Sequence, residues 1–291
     1  MAAMFANATE FNQAIGNWNI SRVTNLTSMF QNAQKFNQEL NAWNTSSVTN
    51  MNAMFNKATE FNQAIGNWDM SNVTSIAFMF QDAVNFNQDL NTWNTSAITN
   101  LQATFARAKA FNGDISTWDT SNVTNMESTF LEALGFKQDI SNWNTRSVKT
   151  MKATFAGNST FNGNISAWNT SNVEDMHAMF NQASSFNQPI GAWDTSKVKY
   201  FSYMFQFTEQ FNQPLRNWKV GAAVNMEKIF AFTQAFNQDI SHWNFPAGSN
   251  FEQMFGGANA ITHVNYCKLK ALPVFSTANL GLDGKYNCPM P

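Results

Sequence analysis

Large apolar side chains fall at fixed places along this chain. Tryptophan occurs at Trp18, Trp43, Trp68, Trp93, Trp118, Trp143, Trp168, Trp193, Trp218 and Trp243, which is every tryptophan present, in steps of 25. One phenylalanine column runs from Phe5 to Phe255 and a second from Phe11 to Phe236, at the same step. A 25-residue period means a repeat array in which each unit buries its apolar face against its neighbours. The phase never slips, so the pattern predicts ten coils without insertion or deletion.

The unit from Asn44 to Trp68 shows what each coil is expected to contain. Asn44-Thr45-Ser46 resembles a helix start, because short side-chain oxygens satisfy the free N–H groups there. Val48, Met51, Met54, Phe55 and Ala58 follow at helical spacing. This predicts an amphipathic helix over about 47–58. Phe61, Gln63 and Ile65 share one face if the chain is extended, which predicts a short strand-like segment. Gly66-Asn67 turns the chain and Trp68 closes the unit. The expected fold class is therefore an α/β repeat solenoid of ten 25-residue coils. Each coil would carry one short amphipathic helix, one strand-like segment and a turn. Helices pack about 8–10 Å apart and strands about 4.8 Å apart, so such coils would curve or twist.

The ends differ. Met1 to Phe5 aligns with Met51 to Phe55, so the first repeat begins part-way through, with no N-terminal cap in sight. That suggests an array cut from a longer protein, or an end that a partner or a second copy covers. After Phe255 the pattern decays, with Ile261 in a phenylalanine place and Lys268 in a tryptophan place. The expected organisation is a repeat domain over 1–260 and a C-terminal cap over 261–291. The cap holds the only two cysteines, Cys267 and Cys288, which are expected to pair as a disulfide pinning it.

Composition narrows the function. Lys and Arg number 17 against 19 Asp and Glu, a net charge of −2, which argues against nucleic-acid binding. Charged residues make up 12% of the chain, about half the usual share, while 28 Phe and 10 Trp argue against disorder. No apolar run reaches the roughly 20 residues that span a bilayer, and no signal peptide is visible.

Candidate chemistry is sparse. The tryptophan column is read as core rather than as an exposed aromatic platform, since every coil needs it in the same place. A hydroxyl column, with Thr45, Thr95, Thr120, Thr145, Thr170 and Thr195, is read as helix capping rather than as an ice-ordering array. The acids Glu39, Asp89, Asp114, Asp139 and Asp239 line up, but Ala14, Ala64, Asn164, Pro189 and Pro214 break the column, so a solvated face is preferred over a Ca²⁺ ladder. His177, His242 and His263 share no register, and no zinc spacing, nucleophile elbow or phosphate loop is present. No catalytic, cofactor-binding or metal-binding residue is assigned, and no enzyme is expected. Lys197, Lys199, Arg216, Lys219 and Lys228 form the nearest anomaly and are read as solvated.

The stretches Phe111-Asn112-Gly113-Asp114-Ile115-Ser116-Thr117-Trp118-Asp119-Thr120-Ser121-Asn122-Val123-Thr124-Asn125-Met126 and Phe236-Asn237-Gln238-Asp239-Ile240-Ser241-His242-Trp243 resemble the BspA-like leucine-rich-repeat surface proteins. The resemblance covers about residues 1–260 and implies a leucine-rich-repeat-like fold. It implies an extracellular or cell-surface location and a role in adhesion or protein binding, and it carries over no catalytic residue. The expectation is a non-enzymatic surface module that meets a protein or cell-surface partner over a broad area. Two alternatives stand beside it: a filament or coat subunit assembled by stacking, and an ice- or glycan-binding array.

Overall fold

A computed structural model describes residues 1–282 and 284–288. It corrects the expected coil. Among the described residues the α-helix α1 (His263–Lys270) and the 3-10 turn Pro273–Phe275 are the only helical elements, and both lie past the repeats. The α/β solenoid with one helix and one strand per coil is therefore not what this chain forms. Strand pairing is reduced to single parallel bridges, such as Asn25 with Asn50 and Asn50 with Ser75.

Residues 51–58 form a ribbon of overlapping turns in place of the predicted helix. The N–H groups of Met54, Asn56 and Ala58 donate three residues back, to Met51, Ala53 and Phe55, at 3.2, 3.1 and 3.0 Å. Those of Ala53, Phe55 and Lys57 donate instead to Ala77, Met79 and Gln81 of the next coil, at 2.8, 2.9 and 2.7 Å. Alternate residues thus serve the coil and its neighbour. A ribbon of this kind puts the third residue of every second turn at positive φ, as a type II turn requires. Ala53 has φ 54° and Lys57 φ 59°. All described non-glycine residues with positive φ fall at these two places in their coils, from Ala3 and Asn7 to Gln253.

Spacing explains why the helix fails. Equivalent rings of successive coils lie 5.5 Å apart for Phe30–Phe55 and 5.7 Å for Phe55–Phe80. Helices need about 8–10 Å between axes, so a helix cannot repeat at this pitch. The turn ribbon can, because it spends half its N–H groups across the gap. It also buries Met51, Met54, Phe55 and Ala58 completely. Those places are i, i+3, i+4 and i+7, the signature of a helical face. A four-residue turn repeat and a 3.6-residue helix leave the same apolar trace over two turns.

The strand-like segment fails for another reason. Asn37 Oδ1 takes the N–H of Asn62 at 3.0 Å, where a strand would offer a backbone carbonyl. The same bond recurs from Asn62 to Asn87 at 2.9 Å and, further along, from Asn187 to Asn212 at 3.0 Å. An asparagine ladder replaces a backbone ladder here.

The chain divides into two compact units, Met1–Val148 and Lys149–Pro291. Each has the same core of phenylalanine pairs, stacked at 3.9 Å for Phe55–Phe61 and 4.0 Å for Phe155–Phe161. In the second unit α1, with Thr262 accepting from Asn265 N–H at its start, buries Tyr266 and Leu269. Asn279 and Leu280 offer their carbonyls to Gln253 and Phe255 N–H at 2.8 and 2.9 Å. They supply the acceptors that a further coil would otherwise provide.

Candidate interaction face

The residues singled out in the sequence lie mostly inside the protein. Trp43, Trp68, Trp93, Trp118, Trp143, Trp168, Trp193, Trp218 and Trp243 are 2–4% exposed, whereas Trp18 is 40% exposed. Trp18 differs because no described coil precedes its own. Indole N–H groups donate to the carbonyl 28 residues earlier, as Trp93 does to Ile65 and Trp218 to Ile190 at 3.0 and 3.1 Å. The threonine column is also buried: Thr45 and Thr95 donate to the carbonyls of Asp69 and Asp119 at 3.0 Å. Helix capping is thus corrected to a bond between coils, and these hydroxyls do not reach the surface. Asn44 instead caps a turn, its Oδ1 accepting from Ser46 N–H and Oγ at 3.1 and 2.7 Å.

Cys267 and Cys288 are joined as a disulfide. His263, Cys267 and Cys288 bring their ligating atoms within 4.8 Å of one another. With the sulfurs bonded to each other, neither is a thiolate that could hold a metal. Three of the aligned acids cap their own turns, Asp114, Asp139 and Asp239 accepting from Ser116, Ser141 and Ser241 N–H at 2.9, 2.9 and 3.0 Å, while Asp89 accepts the N–H of Asp114 in the next coil at 2.9 Å. Of the basic residues in the 197–228 stretch, Lys197 donates to Asn172 and Lys199 pairs with Glu174.

That same stretch carries something the charge pattern did not show. Most left-handed places of the turn ribbon reach the surface, Ala103 being a buried exception, and most coils fill them with small or polar residues. At the second place stand Asn7, Asn32, Lys57, Asp82, Arg107, Glu132 and Gln182, and then Phe207 and Phe232. Both phenylalanines are 42% exposed, and their rings stack at 4.6 Å, nearly parallel. A positive φ is uncommon for bulky side chains. At the first place Tyr203 replaces the Ala and Ser of most coils, and Tyr200 and Val224 stand exposed nearby in the chain.

Polar groups gather around Tyr203. Its hydroxyl donates to Glu227, Lys228 Nζ lies 5.5 Å from its ring centre, and the His177 ring meets it edge-on at 5.5 Å. Glu227 also accepts from Lys228 at 3.1 Å. The Tyr203 bond, with help from Lys228, holds the Glu227 carboxyl below its usual range, and the same bond pushes the Tyr203 phenol up. His177 Nδ1 lies 2.7 Å from Ser202 Oγ. Asp175, two residues before His177, accepts that residue's backbone N–H at 2.8 Å. A shallow cavity of about 290 Å³ is lined by Lys152, Asp175, His177, Tyr200, Ser202 and Tyr203, among others. A second, of about 390 Å³, is lined by Gln182, Ser184, Phe207 and Glu209.

Sequence reasoning missed this face because it followed the columns that never change. The signal lay in the exceptions: Phe207 and Phe232 stand outside both phenylalanine columns, and Tyr200 and Tyr203 are two of only four tyrosines.

The chain matches the family described as "Mycoplasma protein of unknown function, DUF285" over residues 1–117, 85–170 and 150–266. The overlapping tandem matches mark a repeat protein. No curated protein matches it. Among solved structures it is aligned with a chain of the "Crystal structure of TLR13-ssRNA13 complex" at 11% identity and a TM-score of 0.19. The alignment covers 76% of this chain and 46% of that one, and at that score it carries no argument.

Proposed function

The chain belongs to the DUF285 family, and from that premise we propose that it is a non-enzymatic binding module of the cell surface or extracellular space, kin to the BspA-like adhesion proteins, that engages a partner through the aromatic face of its second unit. The observation that carries this is the stacked, half-exposed pair Phe207–Phe232 at places where other coils hold polar residues or glycine. Aromatic residues dominate binding hot spots, because they bury much area at low entropy cost. The coil-to-coil bonds that fix Phe207 and Phe232, to Ala231 and Gly256 carbonyls at 3.0 and 2.8 Å, hold the pair ready before any partner arrives. Tyr200, Tyr203 and His177 extend the same chemistry with hydroxyl and imidazole groups.

The test replaces both phenylalanines with the residue the preceding coil already uses. A Phe207→Gln, Phe232→Gln chain should keep its melting temperature, since Gln182 occupies the equivalent place. Adherence of the purified chain to whole cells, measured by flow cytometry, should fall to background. Unchanged adherence would remove the face from the reading.

An array reading has its own support. Thr24, Thr49, Thr74, Thr99 and Thr124 form an exposed hydroxyl column in the first unit. Each after the first donates to the carbonyl of the one before, as Thr49 and Thr99 do at 3.2 Å. An ice-recrystallisation assay on wild type and on a Thr74→Tyr, Thr99→Tyr chain tests it: inhibition that the variant lacks supports the array, and no inhibition ends it.

A further inference from the structure

We propose that the cavity in front of Phe207 is a carbohydrate subsite that takes one neutral hexopyranose ring of a glycan. This rests on the binding reading above and names the ligand for part of that face.

Phe207 is 42% exposed, and Phe232 is the one aromatic ring against it among the described residues. Phe232 covers one side of Phe207 at 4.6 Å, with 4° between the planes. Phe232 is itself backed by Gly257, where an added Cβ would lie 2.5 Å from the ring. Only glycine lets the chain pass so close, and Gly257 also holds φ 68°, which suits it. The stack is thus closed on the Gly257 side. Away from that side, Phe207 and Gln182, its equivalent in the coil before, both line a cavity of about 390 Å³.

The remaining lining of that cavity is polar and mixed in kind. Gln182 brings an amide that both donates and accepts, Ser184 a hydroxyl, and Glu209 a carboxylate. A flat apolar surface beside an amide, a hydroxyl and a carboxylate matches the two-sided chemistry of a pyranose. Its axial C–H bonds form an apolar face that packs on an aromatic ring, and its rim hydroxyls need donors and acceptors. A peptide anchor would be better served by a deep apolar pocket, which this cavity is not. An anionic ligand is disfavoured by Glu209, which lines the cavity with no cation among its lining residues. The backbone is held on both sides of the site. Gln182 N–H donates to Gln206 at 2.8 Å and Phe207 N–H to Ala231 at 3.0 Å, so little ordering is left to be done on binding.

The experiment uses the whole chain and saturation-transfer NMR with methyl glycosides of glucose, galactose, mannose and N-acetylglucosamine, plus a neutral oligosaccharide of each. At least one should receive saturation, strongest on the protons of one ring face. Phe207→Gln should lower the affinity at least about tenfold, the loss of a single strong contact, with an unchanged melting temperature. Glu209→Gln should lower it less. The proposal is overturned if no sugar receives saturation, or if one does and Phe207→Gln binds it equally. Should no sugar bind while the Phe207→Gln, Phe232→Gln chain still loses cell adherence, the face stands with a protein as its partner and the sugar subsite falls alone.

Discussion

The indole N–H of Trp118 donates to the carbonyl of Leu90 at 3.0 Å, reaching back across the boundary between one coil and the one before. Trp118 also stacks on Trp143 at 6.0 Å and is 4% exposed. One side chain therefore fills the core of its coil and ties down a backbone acceptor of its neighbour. Trp118→Ala should cost roughly 3–5 kcal/mol, as for other large core truncations. Trp118→Phe should cost less, about 1 kcal/mol for the lost bond besides the smaller ring, because the Leu90 carbonyl keeps the Trp93 N–H at 3.2 Å. Urea unfolding of the two variants checks the order.

The left-handed places give a test of backbone strain. Lys57 has φ 59°. Lys57→Gly should raise stability by about 0.5–1 kcal/mol, as the steric cost of a side chain there is relieved. Lys57→Val should lower it by about 1–2 kcal/mol, since a branched Cβ is least tolerated at positive φ. Equal melting temperatures for the two would count against the turn ribbon.

Asn158 stands where most coils carry Ala, and its Nδ2 is buried without a hydrogen-bond partner. Its Oδ1 accepts from Thr160 and from Phe161 N–H, each at 3.2 Å. Phe61 makes the equivalent turn with Ala58 in that place, so the turn does not need the amide. Asn158→Ala should stabilise the chain by about 1 kcal/mol by removing the unmet donor. A fall in melting temperature would show that the amide is satisfied in solution.

Asp239 sets a pH dependence at the end of the repeats. Lys268, on α1, donates to it at 2.6 Å, and Ser241 adds hydroxyl and N–H bonds at 2.7 and 3.0 Å. Chiefly through Lys268, these hold its carboxyl down to about 2. A carboxyl depressed in the folded state contributes stability that is present above the unfolded value of about 3.9 and is lost as pH falls through the folded one. Hydrogen exchange in α1 should therefore speed up between about pH 4 and pH 2. Both side chains are well exposed, so the gain is a fraction of about 1 kcal/mol. Lys268→Ala should make that acceleration smaller, because the folded carboxyl rises towards its unfolded value and less stability is left to lose; an identical profile would exclude the pair.

The disulfide closes a separation of 21 residues. Reduction should destabilise the end of the chain by about 3 kcal/mol in the chain-entropy view. Exchange should rise at Gln253 and Phe255, whose N–H groups are held by Asn279 and Leu280. Protection that survives reduction would mean that Tyr266, Leu269 and Phe275 hold the cap alone.

The period, the tryptophan and phenylalanine columns and the apolar face of each coil were legible in the sequence, because burial at a fixed place leaves a fixed residue type. The backbone was not. Met51, Met54, Phe55 and Ala58 mark a buried face whether the chain runs as a helix or as turns, and the choice is made by the 5.5–5.7 Å pitch of the stacked rings. Nor do Ala53 and Lys57 announce positive φ, as neither is the Gly or Asn that usually does. Of the candidate face, Lys197, Lys199 and Lys228 drew notice as charges. Phe207 and Phe232 stand outside the two phenylalanine columns in the sequence, but that they stack as an exposed pair shows only in the structure.

The two left-handed places in each turn ribbon are held at positive φ by bonds from the coils, whatever side chain they carry. Ala, Ser, Asn, Lys, Asp, Arg, Glu, Gln, Tyr and Phe all occupy them. Structure and recognition are thus written in separate alphabets on one chain. A lineage can rewrite what the surface reads, one slot at a time and at a known interval, while the code for folding stays intact. The same property makes the array a scaffold on which a designer could set side chains at a fixed pitch.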